Sequence, residues 1–236
     1  MSLDQEPLPQ TLCRLGRTPN AWEPPPWEAA DPATGTFGNR WDDPDGVYRV
    51  VYTSTTRLGC FLECLARLRP DPAVVAGLAE IIDDGEFGEG LEPGILPRTW
   101  VESRAIGTAQ LQGRPLARLA TAVSLAVLNR ELASLIIEFG LKEIDGATLR
   151  MSAPRRLTQR VSRHVYESVA GDGEPFSGIS YESRLGDDVV CIGLFEAPDR
   201  WLLSNASSEP VHVEDADFSR ALELLAVNRR PFRPQR

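Results

Sequence analysis

The feature of this sequence that most constrains its fold is an irregular alternation of strand-like and helix-like segments. Branched and aromatic residues predict a strand over 47–53, and the following TTRLGCFLECLARLRP repeats apolar residues at helical spacing. Later, the amphipathic segment LTQRVSRHVYESVAG precedes a predicted hairpin in GISYESRLGDDVVCIGLFE. No repeating strand–helix–strand rhythm connects these segments, which argues against a doubly wound sheet. The sequence therefore predicts an α+β fold.

The remaining segments are assigned from the same signals. The first forty-odd residues are rich in proline and small residues and are predicted to be irregular, with Trp22 and Trp27 folded back as plain packing or as one wall of a cleft. The other predicted elements are a helix over 71–84, an acidic glycine-rich loop over 85–94, a strand in RTWVESRAI, a helix over 120–140 broken near Asn129, a strand near PVHVED and a last helix in DFSRALELLAV.

Composition indicates one globular domain. The 236 residues are 42% hydrophobic and 25% charged, which is ordinary for a soluble fold with a sizeable core. No apolar run has the length of a membrane span, and MSLDQEPLPQ lacks the basic start and apolar core of a secretion signal. The cysteines, at 13, 60, 64 and 191, form no CxxC pair. We expect reduced, structural thiols in a cytoplasmic protein.

Charge and histidine content exclude several classes of site. The formal net charge is −9 and the isoelectric point about 4.9, so binding to a nucleic-acid backbone is not expected. Only His164 and His212 are present, which disfavours a histidine metal centre or a serine–histidine relay. No metal is predicted. The basic tail NRRPFRPQR is a solvated terminus or, alternatively, a docking strip for an acidic partner.

One carboxylate stands in an unfavourable setting. Glu63 lies between Phe61, Leu62, Cys64 and Leu65 in the predicted helix, so it points partly inward. A buried carboxylate is costly unless it is paired or has a function. Pairing with Arg67 at the i,i+4 spacing is the structural alternative to a functional role.

Four ordered segments resemble the RES-domain family, which is named for its arginine, glutamate and serine. They are CRLGR, GNRWDDPDGVYRVVYTSTTRLGCFLECLARL, LTQRVSRHVYE and GISYESRLGDDVVCIGLFE. The resemblance implies a single domain over 12–227, with an ADP-ribosyltransferase-like mixed sheet and extra loop and helical length around 83–130. A tail over 1–11 and a basic tail over 228–236 flank it. The family also implies a toxin that degrades NAD, without a further cofactor, and is neutralised by an Xre-like antitoxin.

The resemblance implies which residues bind NAD. Arg14 and Arg40 match two arginines that hold the dinucleotide, and guanidinium groups suit this role because they bind phosphate oxygens through paired hydrogen bonds. Arg184 either adds charge on the phosphate side or pairs with Glu182 or Asp187.

The resemblance also implies three catalytic positions. Tyr52 would pack its ring against nicotinamide, and Glu63 would stabilise the positive charge that arises on ribose when the nicotinamide–ribose bond breaks. Ser183 would form a positioning hydrogen bond, because no histidine or lysine adjoins it in sequence to activate it. We expect Arg40 and these three residues to converge on one pocket large enough for a dinucleotide.

Three functions remain open from the sequence. The first is cleavage of NAD by hydrolysis or phosphorolysis, and the second is transfer of ADP-ribose to a macromolecular acceptor. The third is a non-catalytic RES-like binding module. The sequence also leaves open whether the chain forms a homo-oligomer.

Overall fold

A computed structural model describes residues 2–71, 94–151 and 154–229. The strands are β1 Gln5–Glu6, β2 Leu12–Arg17, β3 Val50–Ser54, β4 Ile95–Leu96, β5 Arg104–Gly113, β6 Leu116–Arg118, β7 Gly178–Ser183, β8 Gly186–Phe195, β9 Trp201–Ser204, β10 Glu209–Pro210 and β11 Asn228–Arg229. The α-helices are α1 Arg57–Leu65, α2 Arg98–Glu102, α3 Ala122–Glu131, α4 Ala133–Glu138, α5 Gly146–Arg150, α6 Arg155–Glu167 and α7 Ala216–Leu225, with 3-10 turns at Trp27–Ala29 and Ala66–Leu68.

One mixed sheet organises the fold. Its strands follow the order β1-β6-β7-β8-β3-β2-β5-β10, and β9 also pairs with β5. The β6–β7 pair is parallel, and the other pairs of this sheet are antiparallel. A separate small parallel pair joins β4 to β11. This mixed sheet with flanking helices confirms the predicted α+β class.

Apolar clusters cover both faces of the sheet. Val50 and Val51 are adjacent on β3 and enter different clusters, as the alternation of side chains along a strand requires. The cluster around Val50 includes residues of α3 to α6, and a further cluster joins α1, α2 and α7. The half-buried ring of Tyr181 packs against both of these helix-bearing clusters. The central strands β3, β7 and β8 are therefore packed between apolar clusters on the two faces of the sheet.

Helix α1 begins where the sequence predicts. Thr56 is its N-cap, and its hydroxyl oxygen accepts a hydrogen bond from the Gly59 backbone N–H at 3.0 Å. The α-helix ends at Leu65, earlier than the predicted end at Pro70, and a 3-10 turn follows. A side chain at Gly59 would lie 2.3 Å from the Ser54 hydroxyl, so glycine allows α1 to contact β3 closely.

Three sequence expectations are corrected. Strands β1 and β2 lie within the stretch predicted to be irregular, whereas residues 18–49 contain no strand or α-helix and only the 3-10 turn Trp27–Ala29. The strand predicted in RTWVESRAI is the short helix α2 followed by β5, because Pro97 begins a helix at Arg98. Residues 104–118, within the expected extra loop and helical length, form β5 and β6 of the main sheet.

Several boundaries also differ from the sequence prediction. Helix α6 ends at Glu167, before the predicted stop at Gly171. The hairpin bend is only Arg184–Leu185, so Ser183 closes strand β7 instead of lying in a loop. Most of the helix predicted over 71–84, most of the glycine-rich loop after it and the tail beyond residue 229 lie outside the described residues. In the described ranges, no helix is long and apolar enough to cross a membrane.

Candidate active site

A cleft opens where two central strands separate. Strands β2 and β3 share one register pair, Cys13 opposite Ser54, and then diverge. We call the space between them the β2–β3 cleft. Its volume is about 160 Å³, and its walls are Arg14, Leu15, Pro25, Phe37, Asn39, Asp42, Arg49, Val50 and Tyr52. This is smaller than the roughly 300–1,000 Å³ of typical ligand sites. The β2–β3 cleft is therefore smaller than the expected dinucleotide pocket, and of the residues expected to converge it is lined by Tyr52.

Arg14 supplies a buried positive charge to the cleft. It lies on β2 and is only 7% exposed. Its Nη1 has no hydrogen-bond partner in the described part of the chain. Burial lowers the pKa of its guanidinium to about 10, and the neighbouring Cys64, Cys60 and Glu196 act in the opposite sense. A buried cationic donor without a partner is suited to receiving an anionic ligand group.

Tyr52 lines the cleft, and its hydroxyl is hydrogen-bonded within the protein. The hydroxyl donates to Asp42 Oδ1 at 2.9 Å and accepts from the Trp41 backbone N–H at 2.9 Å. Asp42 is 3% exposed, and its Oδ2 accepts from the backbone N–H and the side-chain amide of Asn39 at 2.7 and 2.8 Å. Burial, with a contribution from the Asp42 charge, raises the pKa of Tyr52 well above its ordinary value. The hydroxyl is thus occupied within the protein.

Glu63 and Ser183 are hydrogen-bonded to each other. The Ser183 hydroxyl donates to Glu63 Oε1, and its oxygen accepts from the Leu185 backbone N–H at 3.0 Å. Ser183 is 1% exposed and Glu63 is half-buried. Within the described ranges, Glu63 forms no ion pair with Arg67, so the helix pair considered from the sequence is absent. The carboxylate is held by the hairpin instead.

Arg40 lies in a different place from Arg14. It is 8% exposed, its Nη2 donates to the Arg150 carbonyl oxygen at 3.2 Å, and its guanidinium lies 5.7 Å from the centre of the Tyr181 ring. Its Nε has no hydrogen-bond partner among the described residues. The cavity that it lines, which we call the Arg40 cavity, has a volume of about 10 Å³ and is shared with Tyr181 and Glu182. Arg40 and Arg14 therefore do not line one common space.

Arg184 is exposed at the hairpin bend. Among the described residues, Arg184 forms no ion pair with Glu182 or Asp187, and Glu182 instead has Arg118 at 3.5 Å. Arg150 lies 2.7 Å from the Asp187 carboxylate and 3.8 Å from the Glu182 carboxylate. Arg184 thus remains a solvated cation close to Ser183 in sequence.

Tyr181 contacts Trp41 and Arg40 and is not among the site residues predicted from the sequence. Its ring packs on Trp41 with centroids 5.4 Å apart and lies beneath Arg40. Burial raises its pKa well above the ordinary value, and the charges of Cys191 and Glu63 add to this while Arg40 opposes it. Glu63 and Arg40 thus act on the same phenol. The alternation of side chains along β7 could not have identified it from Ser183, because the strand register shifts between Glu182 and Ser183.

The site has no recognisable metal-binding set. Across the residues that the structure describes, no group of three or more histidine, cysteine, aspartate and glutamate side chains could hold a metal ion. The four cysteines are free. His164 lies with its Nε2 3.3 Å from the Glu131 carboxylate, so it forms a contact between α3 and α6.

Comparison with known proteins gives limited information. No family model matches the chain, and no curated protein matches it. Among solved structures, the chain is similar to one in the crystal structure of the M. tuberculosis MbcT–MbcA toxin–antitoxin complex, with a TM-score of 0.44 and 13% identity. That likeness covers 96% of this chain and 92% of that chain. A likeness of this degree does not bear on the chemistry of the site.

Proposed function

We propose that this protein cleaves NAD and releases nicotinamide, by hydrolysis or by phosphorolysis of the nicotinamide–ribose bond. The observation that carries the proposal is the hydrogen bond from Ser183 to Glu63. The motif resemblance to the RES-domain family singles out both residues from separate parts of the sequence. A carboxylate oriented by a buried hydroxyl at the end of a strand is a preorganised group, which is what this reaction requires.

Glu63 would act on the charge that develops during bond breaking. The nicotinamide of NAD is already cationic, so it leaves as a neutral molecule with the electron pair of the C–N bond, and no acid is needed to expel it. The ribose carbon becomes electron-deficient, and a nearby carboxylate stabilises that charge. Water or phosphate then attacks this carbon. With water, the products are nicotinamide, ADP-ribose and a proton.

The cleft residues would bind the substrate. Arg14 offers an unpartnered guanidinium N–H to a phosphate oxygen. Tyr52 offers its ring for packing against nicotinamide, since its hydroxyl is already bonded to Asp42. Arg40 donates a hydrogen bond to the Arg150 carbonyl oxygen and lies over the Tyr181 ring. It would therefore hold Tyr181 in place, or bind substrate after local opening of the Arg40 cavity. Arg184 would contribute charge from the exposed bend. NAD is a substrate here, and no further cofactor is proposed.

The biological role that we propose is that of the toxin in a type II toxin–antitoxin pair, acting in the cytoplasm. This part of the proposal rests on the motif resemblance, and an Xre-like antitoxin would be the partner. Expression of the active protein alone should arrest growth, and Glu63→Gln should relieve the arrest. Harmless expression of protein that is shown to cleave NAD would contradict the toxin role.

The test of the activity is release of nicotinamide by the purified protein. Wild type and Glu63→Gln are incubated with NAD, with and without inorganic phosphate, and products are separated chromatographically. Hydrolysis gives ADP-ribose in both buffers, whereas phosphorolysis gives a phosphorylated ADP-ribose and depends on phosphate. If label from adenine-labelled NAD accumulates on a macromolecule, the reaction is a transfer. Absence of nicotinamide release from folded wild-type protein would refute the proposed activity.

A further inference from the structure

The tyrosine hydroxyls of this protein differ in whether they form hydrogen bonds within the chain. The Tyr48 hydroxyl is hydrogen-bonded to the Ser162 hydroxyl at 2.9 Å. The Tyr52 hydroxyl is occupied by Asp42 and by the backbone N–H of Trp41. The Tyr181 hydroxyl forms no hydrogen bond with any part of the chain that the structure describes. Near Glu63, the phenol that remains available to a ligand is therefore that of Tyr181, not that of Tyr52.

The ring of Tyr181 is held firmly. It packs on Trp41 and under the guanidinium of Arg40, and it contacts both helix-bearing apolar clusters. Arg40 is itself fixed by its hydrogen bond to the Arg150 carbonyl oxygen. A hydroxyl on a ring that is packed from several sides has a defined position, so it can act on a ligand with little loss of side-chain entropy.

The ring of Tyr181 packs against the apolar cluster that contains α1, the helix that carries Glu63. Tyr181 precedes Ser183 by two residues on β7, with a register irregularity between Glu182 and Ser183, and Ser183 donates its hydrogen bond to the Glu63 carboxylate. The charge of Glu63 is one cause of the raised pKa of Tyr181, after burial and Cys191, so the phenol stays protonated and remains a donor. The site thus places a neutral donor beside an anionic acceptor.

This pair of groups matches a particular ligand chemistry. Each hydroxyl of a sugar can donate one hydrogen bond and accept others. Of two adjacent hydroxyls, one can donate to the carboxylate while the other accepts from the phenol. A ribose presents such a pair of hydroxyls, whereas an ionised phosphodiester group has only acceptor oxygens and offers no donor to the carboxylate.

We infer that the Tyr181 phenol donates a hydrogen bond to a hydroxyl of the ribose that carries nicotinamide, next to Glu63. This inference rests on the proposed function, because it deepens the same site. Tyr181 would then be a substrate-contacting residue that sets the position of the reacting ribose, and Tyr52 would contribute through its ring.

The experiment compares Tyr181→Phe with wild type and with Tyr166→Phe. Tyr181→Phe removes only the hydroxyl, which bonds to no described residue, so the melting temperature should stay unchanged. Tyr166 is the matched control, because its ring stacks on Tyr48 and Arg200 in the fold and not on the site residues. Nicotinamide release gives kcat and KM, and calorimetry gives the affinity for ADP-ribose and for AMP, which lacks the second ribose.

The expected result is a loss that depends on the second ribose. Tyr181→Phe should bind ADP-ribose about five- to tenfold more weakly, the scale of one hydrogen bond, and should bind AMP as wild type does. Nicotinamide release should fall at least as much, while Tyr166→Phe stays at the wild-type level. If wild type binds ADP-ribose without cleaving NAD, the proposed activity fails, and the ADP-ribose comparison still decides the role of Tyr181. Equal affinity of Tyr181→Phe and wild type for ADP-ribose, or no binding by wild type, would overturn the inference.

Discussion

The Ser183 hydroxyl donates a hydrogen bond to the Glu63 carboxylate, although 120 residues separate them in the chain. The Leu185 backbone N–H donates to the same serine oxygen, so the hydroxyl hydrogen is directed at Glu63. Ser183 is buried, and water cannot readily replace either bond. Under the proposed function the serine would be a positioning residue that acts through the glutamate, and we expect the two residues to behave as one unit in kinetics.

The charge of Glu63 is the first target for mutation. Glu63→Gln preserves the shape and removes the negative charge that would stabilise the developing charge on ribose. We expect nicotinamide release to fall by about a hundredfold or more, as for loss of one preorganised electrostatic group, with little change in NAD affinity. Steady-state kinetics with calorimetry separates the two effects. Glu223→Gln on the exposed face of α7 is the control, and near-full turnover by Glu63→Gln would make Glu63 a structural residue.

The Ser183–Glu63 unit predicts non-additive effects. Ser183→Ala should lower kcat by about tenfold, because Glu63 loses the bond that orients it. It should also reduce the free energy of unfolding by about 1–3 kcal/mol, since the Leu185 N–H is left without an acceptor. In the double variant with Glu63→Gln, kcat should be close to that of Glu63→Gln alone. Multiplication of the two kinetic effects would show that the residues act separately.

Replacement of Arg14 should weaken NAD binding without lowering the stability of the fold. Arg14→Met keeps much of the side-chain volume and removes a buried cation whose pKa is lowered to about 10 by burial. NAD affinity should fall by roughly ten- to a hundredfold, the scale of a charged hydrogen bond, while the free energy of unfolding stays equal or rises. Calorimetry and urea unfolding measure these effects. Arg220→Met on the surface of α7 should change neither, and a large loss of stability in Arg14→Met would instead make Arg14 a structural ion-pair partner.

Local sequence signals predicted the elements that carry Glu63 and Ser183. The N-cap of α1 is Thr56, one of the two threonines that open the predicted helical segment, and the two apolar runs of the C-terminal hairpin are strands β7 and β8. Strand β2 was missed, because LCRLGR interrupts a short apolar run with two arginines. Its pairing with β5 and β3 depends on distant segments that leave no local trace.

The predicted site residues also form contacts with distant segments that the local sequence does not reveal. Sequence position placed Tyr52 near a ligand but could not show that its hydroxyl is bonded to Asp42. It placed Arg40 with Arg14, whereas the structure packs Arg40 against Tyr181. Contacts of this kind are set by how the loop before β3 folds onto α5 and β7. The residue types indicate chemistry, and only the tertiary arrangement decides which polar atoms remain available to a ligand.

The buried thiols predict a loss of stability at alkaline pH. Burial raises the pKa of Cys64 to about 11 and that of Cys191 to about 12, from an ordinary value of 9.0. Between pH 9 and 10 the unfolded chain releases thiol protons that the folded chain retains, so the free energy of unfolding falls as pH rises. Arg14, whose pKa is lowered to about 10, is half deprotonated in the folded chain at pH 10, so it opposes part of this trend in the upper half of the interval. Urea unfolding at pH 8 and pH 10 measures the slope, which should be smaller in Cys64→Ala. A stability that does not decrease over this interval would contradict the burial of the thiols.

Gly59 should be the position in α1 that tolerates substitution least. An alanine Cβ there would lie 2.3 Å from the Ser54 hydroxyl oxygen and 3.1 Å from Val189 Cγ1, so α1 would have to move away from β3 and β8. Glu63 follows Gly59 by one helical turn and would move with the helix, which would lengthen its hydrogen bond from Ser183. We expect Gly59→Ala to lose about 1–3 kcal/mol of unfolding free energy, as in an overpacked core, and to lose nicotinamide release as well.

Gly146→Ala at the start of α5 is the matched helical control, because no atom lies within 4 Å of its added Cβ. That variant should be neutral or more stable by roughly 0.4–1 kcal/mol, since alanine restricts the unfolded chain. Equal unfolding midpoints for the two variants in urea would mean that α1 does not depend on close contact with the sheet to position Glu63.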